Sequence, residues 1–416
     1  MLFRNILILV FAGIFGMWSN TIIAQSLTLD QALQRSFIGH PSLKAELAAS
    51  EAVERQASLD GLAPAPFIST ELENFAGTGT LSGVSSAEAS VRLGRVFELG
   101  GKREARQQVG ASAVARQRNT VEQRRLDITA DTTRRFIDVL AKQHQLEMAE
   151  KDLKLVAEVK KTMAYRVQRG NNSSADLELA QLAMSRAELV REDAEHELAS
   201  ARVSLSTLWG ERSPTFERVQ GDLTSLPEVA SFEALLLQLK QNPDFQTFAL
   251  EAEQLEAQRR LASANAKPDV TASVGVRRIE ALNDQGLIMS FSLPLGSRER
   301  SGLALQKNAA EQDRLAARQN AAELDAYQLL FSRYQELRHA RHEVESLRDR
   351  MIPSAKKALA ITQTGYDEGR YSFLQIADAR RVLFDLQSQH ISAAARYHRL
   401  LAEIERTTAN TKEISP

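Results

Sequence analysis

The sequence LELAQLAMSRAELVREDAEHELASARVSLSTL occupies residues 177–208 and has the most regular hydrophobic pattern in the chain. Small or apolar side chains recur in it at alternating intervals of three and four residues. The series consists of Leu177, Ala180, Met184, Ala187, Arg191, Ala194, Leu198, Ala201, Leu205 and Leu208. An average spacing of about 3.5 residues predicts a helix that packs along one seam against another helix in a left-handed coiled coil. Arg191, the one charged member, is interpreted as a polar seam residue that sets the register.

A second series with the same spacing lies near the end of the chain. It consists of Ile376, Ala379, Leu383, Leu386, His390, Ala393, Tyr397, Leu400 and Ile404. His390 takes the position that Arg191 has in the first series. Two pairs of prolines repeat with one offset, because Pro41 and Pro243 lie 202 residues apart and so do Pro66 and Pro268. The two halves of the chain therefore repeat one supersecondary unit.

Very long helices are predicted in each half. The chain has 416 residues but only 20 Gly, 10 Pro and 6% aromatic residues, a composition that favours long helices over several compact cores. The helix predicted at about 104–168 would be about 100 Å long at the usual rise per residue. Because no globular core accommodates such a rod, the pattern predicts a tube built from helical hairpins.

Between the prolines and the long helices the hydrophobic period changes to two. Apolar residues alternate with polar ones in four strands, predicted at about 67–75, 87–97, 269–279 and 287–295. Each strand approaches the length of a membrane-crossing β-strand, with one face for lipid and one for the lumen. The connections at 76–86 and 281–286 would be the cell-surface loops. Four strands cannot close a transmembrane barrel, which needs about eight or more, so the count predicts a homotrimer with a barrel of twelve strands.

The fold class predicted from these patterns is mainly α with transmembrane β. It combines a duplicated strand-strand-long helix-helix unit, a trimeric 12-stranded transmembrane β-barrel and an α-helical coiled-coil tunnel. The predicted segments are a signal peptide at 1–24, a first repeat at 25–210, a connecting segment at 211–229, a second repeat at 230–408 and a tail at 409–416. The remaining long helices are predicted at about 175–209, 299–364 and 374–406.

Several function classes are excluded by composition and motifs. The formal charge of −1 offers no basic footprint for nucleic acid. The absence of Cys removes disulfides, thiolate metal sites and the acylated cysteine of a lipoprotein. No phosphate-binding glycine loop, nucleophile elbow or His-Glu-x-x-His motif occurs, so we predict neither an enzyme nor a resident cofactor or metal. His339 and His342 have helical i, i+3 spacing that could bind a metal, but their charged neighbours favour a solvated helix face.

The chain carries a series of short motifs, and their order along the sequence resembles that in the TolC-like outer-membrane efflux proteins, in particular the branch found with cobalt, zinc and cadmium resistance pumps. The resemblance extends from about Leu29 to Arg406. The motifs are Glu73-Asn74-Phe75, Glu98-Leu99-Gly100-Gly101-Lys102-Arg103, Leu208-Trp209-Gly210, Asn242-Pro243, Gly275-Val276-Arg277-Arg278, Gly365-Tyr366, Gly369-Arg370 and Ala377-Asp378-Ala379. The resemblance implies a homotrimer whose 12-stranded outer-membrane β-barrel lies in outer-membrane lipid and whose α-helical tunnel crosses the periplasm. There it would meet a periplasmic adaptor (a membrane fusion protein) and an inner-membrane resistance-nodulation-division pump.

The resemblance also implies residues for the gate at the periplasmic end. Of two acidic positions at the family's constriction, the chain keeps Asp378 and has Gln375 at the other. A tyrosine that holds the closed state corresponds to Tyr366, and its arginine partner corresponds to Tyr371, with Arg370 beside it. For Asp378, the alternative is a solvated charge near a helix N-terminus.

Two glycine-marked turns connect the long helices. The residues of these turns are Gly170, Asn171, Ser173, Gly365, Gly369 and Ser372. Glycine suits the left-handed conformation that ends a helix, and Asn or Ser caps the next one. The turns are either the docking tip for the adaptor or ordinary hairpin turns.

The leading hypothesis is a passive, gated outer-membrane conduit that exports heavy-metal cations. An alternative within this class is the channel of a multidrug or type I secretion system, since a duct need not recognise its cargo. A soluble periplasmic coiled-coil scaffold is the alternative from a different class, and the four alternating strands argue against it.

Overall fold

The computed structural model describes residues 26–409. The signal peptide predicted at 1–24 and residues 410–416 of the predicted tail lie outside the described residues. The helices are α1 Leu29–Gly39, α2 Pro41–Asp60, α3 Lys102–Gln168, α4 Ser174–Ser206, α5 Phe232–Leu239, α6 Pro243–Ala264, α7 Ser297–Ser346, α8 Ile352–Asp367 and α9 Phe373–Thr408. The strands are β1 Phe67–Glu73, β2 Glu88–Phe97, β3 Val270–Ile279 and β4 Asp284–Ser292.

The repeated Pro positions mark helix starts in both halves. Pro41 and Pro243 each occupy the beginning of a helix, where the missing N–H costs nothing. His40 and Asn242 are the preceding N-cap residues, and the side chain of each accepts a hydrogen bond from the backbone two residues later. Asn242 is fully buried and also donates through Nδ2 to the carbonyl of Arg406 at 2.8 Å, which anchors α6 to the end of α9.

The four strands form one antiparallel sheet in the order β1-β2-β3-β4. Two hairpins, β1-β2 and β3-β4, come from the two repeats, and β2 pairs with β3 to join them. β1 and β4 are the two edges of the sheet within the described chain. The duplicated sequence thus builds a sheet that has the same kind of hairpin on either side of a central pairing.

The strands differ from the predicted bounds where the backbone turns. β1 ends at Glu73, two residues before the predicted end, because Asn74 has φ 54° and leaves the extended conformation. β4 begins at Asp284, since a short 3-10 turn and Asn283 at φ 52° close the hairpin earlier than the loop predicted at 281–286. It stops at Ser292, two residues before Pro294, which has no N–H for a sheet ladder.

The prediction of one uninterrupted α-helix at about 299–364 is wrong, because the helix is interrupted once. α7 and α8 are separated by a π-helical turn at Leu347–Met351. Pro353 lies just beyond this turn, at the start of α8. A proline inside a helix lacks an N–H and its ring collides with the carbonyl four residues earlier, and the wider π turn relieves this conflict.

The long helices pack around two neighbouring clusters of buried apolar side chains, and we call the larger cluster the belt. In the belt, Phe136 and Leu140 of α3 pack with Leu27, Phe216 and Val219 of the segments that flank the repeats. A neighbouring cluster joins α5 to α7 and α9 through Leu235, Leu239, Leu330, Leu337, Tyr397 and Leu400. None of the helices within residues 26–409 combines the length and the apolar character that a bilayer crossing demands.

Candidate functional site

One face of the sheet is apolar and open. The register aligns Ile68, Leu93, Val274 and Met289 across the four strands, and these side chains are 73%, 57%, 50% and 69% exposed. The exposed apolar residues of the strands on this face are Ile68, Leu72, Val91, Leu93, Phe97, Val274, Val276, Leu287, Met289 and Phe291. A contiguous apolar surface of this kind marks contact with lipid or with another protein. The alternation predicted from the sequence places these residues on the same face.

The opposite face of the sheet carries paired charges. Arg92 of β2 contacts Glu71 of β1 at 2.5 Å. Arg277 of β3 contacts Glu88 at 2.9 Å and Glu73 at 3.2 Å, and its Nε donates to Ser90 at 3.0 Å. Because charges are tolerated where water is present and not in hydrocarbon, this face suits contact with water.

The two turns between the long helices are built in the same way. Gly170 and Gly369 adopt the left-handed conformation, with φ 72° and 76°. Ser173 and Ser372 cap the following helices, and each forms a capping box with the residue three positions later. The sequence pattern predicted this construction because it needs only a glycine and a small polar cap.

An apolar cluster holds both turns at the same end of the molecule. Met163 of α3, Ala180 of α4 and Phe373 of α9 are buried together, and Tyr366 and Ala377 pack against them. The tip residues Gly170, Asn171, Ser173, Gly365, Gly369 and Ser372 therefore belong to one end of the bundle. We call this group of buried side chains the tip cluster.

We call α3 with α4 the first hairpin and α8 with α9 the second hairpin. Among the residues that the structure describes, three of the gate candidates form side-chain hydrogen bonds or ion pairs only within the second hairpin. Asp378 is largely exposed and its Oδ1 accepts from Arg381 of the same helix at 2.5 Å. Gln375 completes the capping box with Ser372. Arg370 pairs with Glu368 two residues earlier in the turn.

Tyr366 does contact the other hairpin, but through partners that the sequence did not reveal. Its hydroxyl accepts a hydrogen bond from Nδ2 of Asn172 at 3.3 Å. The guanidinium of Arg166 lies over its ring at 4.8 Å and also contacts Asp367 at 3.2 Å. Tyr371, which stands at the family's arginine position, packs on Gly365 instead. Asn172 and Arg166 lie in an ordinary turn and on a charged helix face, so no motif identified them.

Further from the tip, one ion pair connects α3 to α9. Asp152 Oδ1 lies 3.2 Å from Nε of Arg380, and Nη2 of Arg380 donates to Oδ2 at 3.4 Å. Both side chains are mostly buried, with 19% and 18% of their surface exposed. Burial raises the pKa of the Asp152 carboxyl more than the neighbouring guanidinium lowers it. Each residue stands beside a seam position, and no sequence pattern connects the two.

Two cavities lie on either side of this ion pair. A cavity of about 730 Å³ between the pair and the tip is lined mainly by apolar residues of α3, α4, α8 and α9. A second cavity of about 550 Å³ extends from the pair to His390 and Ile352. Asp152 and Arg380 line both cavities. The helices therefore leave open space on both sides of this ion pair.

The other histidine and arginine candidates are placed on helix surfaces or seams. His339 and His342 are exposed on α7, and His342 Nε2 lies 3.5 Å from the hydroxyl of Ser346. Arg191 pairs with Glu195 of its own helix at 2.9 Å. His390 is partly buried, and desolvation lowers its pKa, with a further lowering from Arg348. Within the described part of the chain, no group of three or more His, Cys, Asp or Glu residues could hold a metal ion.

Comparison with known proteins gives a consistent result. The family model described as outer membrane efflux protein matches residues 28–211 and 235–410. The chain is 25% identical over 383 residues to the cobalt-zinc-cadmium resistance protein CzcC of Cupriavidus metallidurans, covering 92% of this chain and 90% of that protein. It is 26% identical to the nickel-cobalt-cadmium resistance protein NccC of Alcaligenes xylosoxydans xylosoxydans, over 67% of this chain and 64% of that protein.

Among solved structures, a CusC crystal structure superposes with a TM-score of 0.76 at 15% identity and covers 92% of each chain. This similarity shows the fold, a helix-rich bundle with a small antiparallel sheet in the manner of TolC-like channels. The family match covers both repeats and most of the chain. The protein belongs to the outer membrane efflux protein family, and it is an efflux channel of the outer membrane and not an enzyme.

Proposed function

We propose that three copies of this chain close a 12-stranded β-barrel in the outer membrane and continue it into the periplasm as an α-helical tunnel. The observation that carries this proposal is the sheet with one apolar and one charged face. In lipid, every backbone N–H and C=O needs a partner, so an open sheet edge is not tolerated there. β1 and β4 are such edges, and pairing β4 of one copy with β1 of the next removes them.

Two cationic residues near the ends of the apolar face support this orientation. Arg95 lies between Leu93 and Phe97 toward the α3 end of β2, and Arg278 lies on the same face at the other end, beside the turn. Arginines at the margins of an apolar band can reach the polar headgroups while their stems stay in the apolar layer. The face therefore has the profile of a membrane-crossing band with polar margins.

The domain organisation follows from the same proposal. The residues at 25–210 and 230–408 form two outer-membrane efflux repeats, joined by the segment at 211–229. The signal peptide at 1–24 would direct export and be removed. The tunnel would consist of α3, α4, α7, α8 and α9 from each copy, with the tip cluster at its periplasmic end.

We further propose that the cargo is a heavy-metal cation, delivered by a resistance-nodulation-division pump through a periplasmic adaptor. The names of the relatives, which are resistance proteins for cobalt, zinc, cadmium and nickel, support this cargo. The chain itself would be a passive conduit. Asp378, Gln375, Tyr366 and Arg370 are the proposed constriction residues, and the tip turns are the proposed contact with the adaptor.

Membrane fractionation and native mass spectrometry test the proposed assembly. The mature protein should require detergent for extraction from outer membranes and should migrate with the mass of three chains in native mass spectrometry. Recovery in the soluble periplasmic fraction without detergent would favour the coiled-coil scaffold instead. A stable monomer or dimer in mild detergent would contradict the 12-stranded barrel.

The metal and drug sensitivity of a deletion strain tests the proposed cargo. The deletion strain should stop growing at lower concentrations of zinc, cobalt, cadmium or nickel than the parent strain does, and a plasmid copy of the gene should restore growth. Sensitivity to antibiotics with unchanged metal tolerance would indicate a multidrug channel. Loss of a secreted protein from the medium, with normal tolerance of metals and drugs, would indicate type I secretion.

A further inference from the structure

A cavity of about 830 Å³ lies near the start of α2 and the ends of α4 and α9. Five arginines line this cavity, and we call it the arginine recess. They are Arg124, Arg134 and Arg135 of α3, Arg333 of α7 and Arg406 of α9. The carboxylates among the lining residues are those of Asp127, Asp131 and Glu403. The lining therefore carries more guanidinium groups than carboxylates.

The recess lies on the side of the bundle that the connecting segments leave open. On the covered side of α3, Leu126 and Thr133 line a smaller cavity together with residues 228–230 and α5. At about 3.6 residues per turn, Arg124 and Asp131 lie on the opposite side of the same helix. A connecting segment inside a tunnel would obstruct it, so the open side is the one that would face the lumen in the proposed trimer.

Two arginines of the recess have donors without acceptors. The Nε atoms of Arg124 and Arg134 are buried, and neither has a hydrogen-bond partner among the described residues. Arg124 has a single ion-pair partner in that part of the chain, Asp127 at 3.6 Å, whose other oxygen lies 2.7 Å from Arg406. A buried donor of a charged group that lacks an acceptor costs free energy. An anion bound in the recess would remove that cost.

The remaining carboxylates of the recess are shared. Asp131 lies 3.1 Å from Arg134 and 3.0 Å from Arg135. Glu403 lies 2.9 Å from Arg333, while its distance to Arg134 is 3.9 Å. A guanidinium group has several N–H donors and pairs best with both oxygens of one carboxylate or phosphate. Shared carboxylates therefore leave donors of the α3 arginines available to a further anion.

The other two arginines of the recess are more fully paired. Arg406 contacts Asp244 at 2.8 Å, and Arg333 contacts Glu336 at 2.9 Å. Neither of these two carboxylates lines the recess, so their oxygens do not serve the donors that point into it. The three arginines of α3 are therefore the residues that would hold a ligand.

His40 also lines the recess, and its pKa reflects the charges around it. Burial has the largest effect and lowers the pKa of His40, Asp131 raises it, and Arg124 and Arg135 lower it further. Two of these three neighbouring charges are cationic. This local excess of positive charge agrees with a site for an anion.

We propose that the arginine recess binds a small multivalent oxyanion that carries phosphate or carboxylate groups. Arginine pairs with both kinds of group through two parallel hydrogen bonds. The position of the recess beside the lumen rests on the proposed function, whereas the binding itself does not. In the trimer, three occupied recesses would place negative charge beside the path of a cationic cargo and offset the field of the arginines.

Titration calorimetry on the full-length mature protein in detergent tests the binding. Pyrophosphate and citrate are the probes, because they separate a preference for phosphate from one for carboxylate. R124Q/R134Q should weaken binding of the preferred anion about tenfold or more, since it removes charge-assisted hydrogen bonds. The matched control is R125Q, because Arg125 is exposed on the same helix and pairs with Glu122 at 3.1 Å outside the recess. This control should bind as tightly as the native protein.

Three results would overturn the anion site. These are no binding of either probe by the native protein, equal affinity in R124Q/R134Q and the native protein, and binding of monovalent acetate as tight as that of either probe. If R124Q/R134Q fails to assemble, R124Q and R134Q are measured singly. R124K/R134K, which keeps the charges without the planar fork, should bind with intermediate affinity.

Reversal potentials in planar bilayers test the position of the recess. The preferred anion should raise the selectivity for cations over anions in the native channel and in R125Q, and it should have no effect on R124Q/R134Q. Calorimetric binding with unchanged selectivity would support the anion site and contradict its position beside the conduction path. Binding by a protein that forms no channel would support the site and contradict the duct.

Discussion

The aromatic ring of Tyr371 lies directly on the backbone of Gly365. A Cβ built on Gly365 would stand 2.1 Å from Cδ2 and 2.4 Å from Cε2 of that ring. The carbonyl of Gly365 accepts hydrogen bonds from the N–H groups of Arg370 and Tyr371, at 2.7 and 3.1 Å. The turn of the second hairpin is therefore built around a residue that has no side chain.

Substitution of Gly365 by Ala should destabilise this turn. The added methyl group cannot share the space of the ring, and overpacking of this kind costs about 1–3 kcal/mol. Proteolysis at the turn should accelerate and thermal unfolding in detergent should occur earlier. Gly365→Ala combined with Tyr371→Ala should recover much of the loss. Gly302→Ala in α7 is the control, since no atom outside its own turn of helix lies within 4 Å of the position of its Cβ. Equal effects of G365A and G302A would show that the ring contact is unimportant.

Asp378 and Arg381 should have opposite effects on ion selectivity. Their side chains pair on an exposed face of α9 near the tip, so each partly cancels the field of the other. If Asp378 contributes to a cation-attracting ring, Asp378→Asn should lower cation over anion selectivity, and Arg381→Gln should raise it. Reversal potentials in asymmetric salt measure both variants. Unchanged ion selectivity in both variants would mean that Asp378 does not lie at the constriction.

Two partly buried histidines should make the assembly less stable in acid. Burial lowers the pKa of His390, and burial also lowers the pKa of His398, whose Nε2 lies 3.2 Å from the Leu223 carbonyl. The folded state therefore binds a proton less readily than the unfolded chain. As the pH falls below the ordinary histidine pKa of about 6.5, protonation stabilises the unfolded chain and the free energy of unfolding decreases.

This pH dependence is measured by thermal unfolding at pH 7.5 and at pH values below 6. His390→Gln and His398→Gln should each reduce the loss of stability between the two conditions. His196→Gln is the control, because the His196 side chain is 77% exposed. If all three variants retain the full acid sensitivity of the native chain, the buried histidines are not its source.

Much of this fold could be predicted from the hydrophobic periodicity of the sequence. The seam residues Ala180, Ala187 and Leu198 are buried as the 3.5-residue spacing predicts, and the alternation in β2 and β3 correctly separates the two faces of the sheet. These features are encoded locally, because the burial of each side chain follows from its place in a regular helix or strand. The duplication also predicted that the positions of Pro41 and Pro243 are equivalent, and each proline begins a helix.

The contacts between hairpins were not accessible in the same way. Asp152 and Arg380 are 228 residues apart, and either one alone has the character of an ordinary charged residue on a long helix. The π turn was not predicted either, because Pro353 is a single proline in a segment that otherwise has the composition of one continuous helix. Such features depend on how two helices approach one another, and neither periodicity nor a short motif records that approach.

Pro353 provides the last test, which concerns the π turn. Pro353→Ala restores an N–H that can donate to the carbonyl four residues earlier, so the π turn at Leu347–Met351 should relax toward a regular α-helix. Hydrogen–deuterium exchange in detergent should therefore slow at residues 349–353 of the variant, because more of their amide groups are held in α-helical hydrogen bonds. Ile361→Ala is the control, because Ile361 is exposed on α8 away from the turn. Exchange as fast in Pro353→Ala as in the native chain would mean that Pro353 is not the cause of the π turn.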